Sequence, residues 1–285
     1  MSPQTTSNRK VGAHVSIAGG LPNAIQNIQN ISGNCLQIFA GSPRTWARNP
    51  FPKDQVQTFN QQIAEHDLTP IFIHALYLVN LASDKPDLLE KSYQSLLMDL
   101  QNGQAINSAG VVVHLGSHQG RGFTTTKNQV VKLIKKILKN TKETPFIIEN
   151  SAGQKGKIGS IEEIAILVKE IADPRVKVCL DSAHMFEAGI DLRDKKVVNQ
   201  LVQDLETKNL LKHLVCLHLN DSKTVLNSGH DKHANIGEGE IGKQGLSNLI
   251  NHPKLKHLPL VLEVPGQEKK GPDQKNIQTT RTLFS

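Results

Sequence analysis

Short apolar runs alternate along this chain with longer amphipathic stretches. The runs are VGAHVS (11–16), CLQIFA (35–40), PIFIH (70–74), GVVVHLG (110–116), PFIIEN (145–150), VKVCLD (176–181), LVCLHLN (214–220) and PLVLEV (259–264). They are rich in Val, Ile and Leu and nearly continuous in apolar character. That pattern predicts parallel strands with helices on one side and a packed interior on the other. Helical periodicity marks the stretches between them, among them 53–67, 86–107, 160–173 and 194–213. Ser160 and Glu163 add a capping box before one such run. Eight units in 285 residues, about 36 residues each, suit a single-domain (β/α)8 TIM barrel. A doubly wound open sheet would alternate in the same way, so periodicity alone does not choose. Residues 1–10, MSPQTTSNRK, read as a disordered lead, and residues 11–285 as the barrel domain.

The polar residues sit at the strand ends. PIFIH closes on His74, VVVH on His114, FIIE on Glu149, VCLD on Asp181, LVCLH on His218 and LVLE on Glu263. In a parallel barrel all these ends share one face, where active sites are built. A lone histidine or acid at a strand end is more often a cap. Six in sequence order point instead to a metal site, because clustered carboxylates repel one another unless cations intervene. With Glu149 bridging, these six groups supply three ligands to one ion and four to its neighbour. His184 and the HDKH loop, with Asp231 and either His230 or His233, are left for a third. Imidazole and carboxylate ligation without thiolate favours zinc, with manganese as the other candidate. His118 and Asp221 are expected to orient ligands rather than bind. GEGEIG (237–242) lacks the context of a phosphate-binding motif.

Composition narrows the partners. The net charge of +7, from 33 basic and 26 acidic residues, favours a polyanion. Setting four carboxylate ligands aside leaves 26 − 4 = 22 acids, a balance near +11. Aromatics at 4 % argue against a surface that stacks many unpaired bases. No apolar run is long enough for a membrane span and no signal peptide is evident, so a cytoplasmic protein is expected. Cys35, Cys179 and Cys216 lie in apolar runs and are expected to be buried and reduced.

Nine blocks together resemble the endonuclease IV family: GAHVSIAGG (12–20), SPRTW (42–46), HALYLVNLAS (74–83), VVHLGSH (112–118), IENSAGQ (148–154), CLDSAHMFEAGID (179–191), HLNDSK (218–223), DKHANIGEGEIG (231–242) and LEVPG (262–266). The resemblance covers nearly the whole chain in order. It implies a TIM barrel with three zinc ions, manganese being the alternative at one site. His74, His114 and Glu149 would hold the first ion. Glu149, Asp181, His218 and Glu263 would hold the second, and His184, Asp231 and His233 the third. His14, Asn220, His118 and Asp221 would support the ligands. The implied activity is cleavage of duplex DNA on the 5′ side of abasic sites by a monomer, leaving a 3′-hydroxyl and a 5′-deoxyribose phosphate. A metal-bridging hydroxide would attack phosphorus, with Glu149 and Glu263 as catalytic carboxylates. Arg44, Trp46, Tyr77 and Leu78 would enter the gap left by the missing base, although ordinary core packing explains Tyr77 and Leu78 equally well from the residues alone. Ala75, Leu115, Ser182 and Ala183 depart from the family's pattern without removing a ligand. The rival reading is a metal-dependent sugar isomerase or epimerase of the same fold.

Overall fold

The computed structural model describes residues 9–285. Residues 1–8 of the expected lead lie outside the described residues. Arg9, at its end, donates to the carbonyls of Ile250, Leu255 and Leu258 and ties the chain to the barrel's base.

Eight parallel strands close into a barrel: β1 (Val11–His14), β2 (Leu36–Phe39), β3 (Ile71–His74), β4 (Gly110–Val113), β5 (Phe146–Glu149), β6 (Val176–Asp181), β7 (Leu214–His218) and, after a small hairpin of β8 (Asp221–Ser222) and β9 (His233–Ala234), β10 (Leu260–Leu262). Each expected strand is present, most shorter by a residue or more where the apolar run continues into a loop. The helices α1 (Asn23–Asn30), α2 (Lys53–His66), α3 (Pro86–Ala105), α4 (Phe123–Lys139), α5 (Ile161–Ile171), α6 (Ser182–Glu187), α7 (Lys195–Thr207), α8 (Gly242–Ile250) and α9 (Gln274–Thr282) follow the strands. The Ser160–Glu163 capping box opens α5 as expected.

Strand alternation sorts the side chains into two layers. Ile71 and Ile73 on β3, Val111 and Val113 on β4, and Val178 and Leu180 on β6 face outward into the large core shared with the helices. Phe72, Val112, Ile147, Cys179, Cys216 and Val261 form a separate buried cluster with one residue from each of six strands. Only the barrel interior can bring those six together. Each lies two residues before a strand-end group: His74, His114, Glu149, Asp181, His218 and Glu263. The side-chain period of two therefore stands the polar groups directly on an apolar floor. All three cysteines are buried and unpaired.

Register sets the heights of these groups. His74 pairs with Val112 rather than His114, and Glu149 with Cys179 rather than Asp181. This stagger is the shear of a closed barrel, and it lifts successive strand-end groups up the wall. Between Val178 and Cys179 the register of β6 with β7 shifts, so that Cys179 faces Cys216 and Asp181 faces His218. Without that irregularity, β7 would present the opposite face to β6 and His218 would turn out of the barrel.

Candidate metal centre

Glu149 is the hub. Its carboxylate is fully buried, and its two oxygens face different partners. Oε2 lies 3.2 Å from Nε2 of His74 and 3.3 Å from Nε2 of His114. Oε1 lies 3.0 Å from Nδ1 of His218. Burial opposes its ionisation, but the imidazoles of His114 and His218 hold the carboxyl well below the usual range. Glu263 behaves alike: burial opposes ionisation, and His218, His14 and His74 outweigh it.

The candidate ligand atoms fall into overlapping groups. His74, His114 and Glu149 form one, and Glu149, Asp181, His218 and Glu263 another, the ligand atoms of each lying within 4.8 Å of one another. The third group differs from the expected division. Asp181 joins His184 and His233 within the same distance. Asp231 also reaches them, with Oδ1 3.2 Å from Nε2 of His184 and 3.5 Å from Nε2 of His233. Asp181 thus faces two groups, because it caps α6 through Oδ1, which accepts the His184 N–H, while Oδ2 turns toward His218 and His233. His230 is exposed, one step outside this arrangement.

Four imidazoles are anchored through one nitrogen, which leaves the other free. Nδ1 of His74 is 2.6 Å from the Ala75 carbonyl, Nδ1 of His184 is 3.0 Å from that of Asn150, and Nδ1 of His233 is 3.3 Å from that of Glu263. Nε2 of His218 is 2.9 Å from Oε1 of Gln37. Each acceptor requires the proton on the anchored nitrogen, so the lone pair of the other points into the carboxylate cluster. That is how metal-binding histidines are held. Among the described residues, the buried Nε2 atoms of His184 and His233 have no well-aligned hydrogen-bond partner, although both face Oδ1 of Asp231. Burial opposes protonation of His184, yet Asp181, Asp231 and Glu149 push its pKa well above the ordinary value. The cluster therefore calls for positive charge, and its donors fit divalent ions of the zinc type.

The supporting residues divide. Asn220 donates to Oδ2 of Asp181 at 2.6 Å and accepts the Glu263 N–H at 2.7 Å, so one amide spans two ligands. His14 lies 3.5 Å from Oε1 of Glu263. Among the described residues, Asp221 makes no hydrogen bond to a candidate ligand side chain. Its buried carboxylate instead accepts backbone N–H groups from Gly237, Gly239, Ile241 and Gly242 and folds the GEGEIG loop. A Cβ at Gly239 would sit 2.3 Å from the Ser222 carbonyl, so only glycine fits there. His118 likewise closes its own loop, accepting the Gly122 N–H.

At the rim, Tyr77 and Leu78 are 60 % and 42 % exposed, which removes the core-packing explanation. Their neighbours Leu76 and Val79 are buried and pin the loop. Arg44 is exposed, whereas Trp46 is half-buried and packs against the core. Two residues escaped the sequence reading. Gln37 is buried inside an apolar run, and its place between inward-facing Cys35 and Phe39 was the available signal. Glu187, one helical turn after His184, holds Ser222 and the Lys232 N–H and so supports the loop bearing Asp231.

Known proteins share this fold. The family described as xylose isomerase-like TIM barrel matches residues 25–283. The chain is 39 % identical over 266 residues to a probable endonuclease 4 of Halothermothrix orenii, covering 91 % of this chain and 96 % of that protein. It superposes on endonuclease IV from Thermus thermophilus with a TM-score of 0.85 at 34 % identity, covering 96 % of this chain and 98 % of the other. A 3-keto-D-glucoside 4-epimerase from E. coli aligns over 97 % of this chain and 99 % of its own, with a TM-score of 0.68 at 12 % identity, a likeness of fold alone.

Proposed function

Because this chain belongs to the endonuclease IV family, we propose that it hydrolyses duplex DNA on the 5′ side of abasic sites with three zinc ions held at the barrel mouth. The observation that carries this reading is the divided Glu149 carboxylate, one oxygen toward His74 and His114 and the other toward His218. A carboxylate set between two candidate ligand groups supports a reading in which two ions would share it.

Bound ions would supply a water of lowered pKa and positive charge beside the scissile phosphate. The chain supplies the rest. Glu149 keeps the first two ligand groups in one frame. Glu263 commits Oε1 to Gln37, which leaves Oε2, 3.5 Å from Nδ1 of His218, as its one oxygen free for the second ion and for orienting the water that ion would hold. His184, Asp231 and His233 would hold the third ion.

A cavity of about 240 Å³ opens beside His114, His184 and Asp231, with Tyr77, Gln154 and Lys157 also on its wall. An extruded abasic nucleotide would enter there, and its extrusion costs less than that of an intact, stacked one. Tyr77 and Leu78 stand exposed at the rim to fill the helical gap, with Arg44 on the neighbouring loop. The basic surface would make binding salt-dependent.

The test is incubation with a duplex carrying one abasic analogue, with and without chelator, beside metal analysis of the purified protein. Cleavage 5′ to the lesion, its loss on chelation, and about three zinc per chain are expected. Full activity in metal-free protein would overturn the mechanism. One divalent ion per chain with turnover of a ketose would return the sugar epimerase reading.

A further inference from the structure

β1 and β2 carry no metal ligand, yet their inward polar residues are not idle. Gln37 on β2 is fully buried and reaches across the barrel to ligands on two other strands. Its Oε1 lies 2.9 Å from Nε2 of His218, and its Nε2 donates to Oε1 of Glu263 at 2.6 Å. The second amide hydrogen has Nδ1 of His14 at 3.1 Å. The amide cannot be turned over. Reversed, it would set its oxygen against the Glu263 carboxylate oxygen, two acceptors at 2.6 Å with no proton between them.

Two consequences follow for the ligands. His218 is fixed with its proton on Nε2, so the Nδ1 lone pair faces Glu149, Asp181 and Glu263. Glu263 has Oε1 occupied, so Oε2 alone turns to the same point. We propose that Gln37 is a positioning residue of the second ion's site, fixing the tautomer of His218 and the rotation of Glu263 through one amide. This rests on the metal reading above and names the part of the chain that prepares the site for its ion.

The test uses Gln37→Met, close in volume but without either hydrogen bond, and Gln37→Glu, which keeps the acceptor for His218 and loses the donor to Glu263. Zinc content after dialysis against a zinc buffer, zinc affinity by chelator competition, and the visible spectrum of the cobalt-substituted protein are measured for each. Loss of such a supporting bond typically weakens metal binding about 10–100-fold. Gln37→Met is expected to lose affinity in that range for one ion while the others stay bound. Gln37→Glu should fall between it and the parent, with an altered cobalt spectrum in both. KM for abasic duplex should change little while kcat falls. Should Gln37→Met fail to fold, Gln37→Glu decides alone, and parent-like affinity and spectrum then overturn the proposal. A loaded parent with unchanged variants overturns the role of Gln37 and leaves the metal reading standing. A parent that binds no zinc overturns both.

Discussion

Asp221 can be tested without touching a ligand. Its carboxylate is fully buried. Oδ1 accepts the N–H groups of Ser222 at 2.9 Å and Ile241 at 3.0 Å, Oδ2 those of Gly237 and Gly239 at 3.0 Å each, and Gly242 lies 3.2 Å from both. Asp221→Asn keeps the shape and replaces one oxygen by an NH2. In either orientation two buried N–H groups then face a donor. An orphaned buried donor costs about 1–3 kcal/mol, which sums to roughly 2–6 kcal/mol. Burial raises the pKa of Asp221, and the backbone donors only oppose that rise, so removing the buried charge returns part of the loss. A net destabilisation of about 2–4 kcal/mol is expected, which at about 2.1 cal/mol/K of unfolding entropy per residue lowers Tm by about 3–7 °C. Thermal unfolding measures the total. Hydrogen exchange locates it, because the amides of Gly237, Gly239 and Ile241 should lose protection first. The same loop carries Asp231 and His233, so the ion they would hold should dissociate more readily. A variant that melts within about 1 °C of the parent, with those amides still protected, would refute the reasoning.

Four further outcomes are expected. Tyr77→Ala with Leu78→Ala should weaken binding of abasic duplex by about tenfold or more and leave Tm nearly unchanged, since truncating exposed side chains opens no core cavity; unchanged affinity in a gel-shift titration removes both from the role. Arg48 donates to the carbonyls of Ser42, Thr45 and Ala47 and to buried Asp99, so above about pH 7, where Asp99 is ionised, Arg48→Met should cost about 3–5 kcal/mol, the usual loss on breaking a buried ion pair. Because Trp46 is the chain's single tryptophan, freeing that loop should red-shift its emission, and an unaltered spectrum would count against the clamp. Burial raises the pKa of Asp99 to about 7 against the partial opposition of Arg48. The folded carboxyl thus holds its proton more tightly than the unfolded one, so its contribution is full below about pH 4 and is lost as pH rises through 7; Asp99→Asn should flatten that dependence in unfolding measured from pH 5 to 8. Stripping the metals should lower Tm and zinc should restore it, by about 4 kcal/mol for each site filled at a thousand times its Kd, whereas a Tm indifferent to chelator would speak against bound ions.

The strand-end cluster of histidines and carboxylates could be read from the sequence because of geometry. In a parallel barrel the last inward residue of each strand faces the same mouth, so His74, His114, Glu149, Asp181, His218 and Glu263 converge wherever the helices run. The block resemblance added His233 over His230, a choice that spacing alone left open. Other roles depended on distance in space. Gln37 meets His218 and Glu263 across 181 and 226 residues of chain, and within an apolar run its amide gives no sign of its partners. Asp221 sits beside a ligand block, but the side-chain period of two sends it away from the face of His218 and toward the loop that follows. Asp181 acquires its second group of neighbours only because capping α6 fixes how its oxygens point. Tyr77 and Leu78 could not be separated from Leu76 and Val79 by hydropathy, since all four are apolar and only packing decides which pair is buried. The amino-acid pattern was enough to specify the set of strands and the chemistry at their ends. The tertiary structure alone decided the division of those groups around Glu149, the residues that hold them, and the side chains left free at the rim. Pattern carries periodicity, whereas these depend on barrel shear, on a register shift between β6 and β7, and on contacts between strands far apart in the chain.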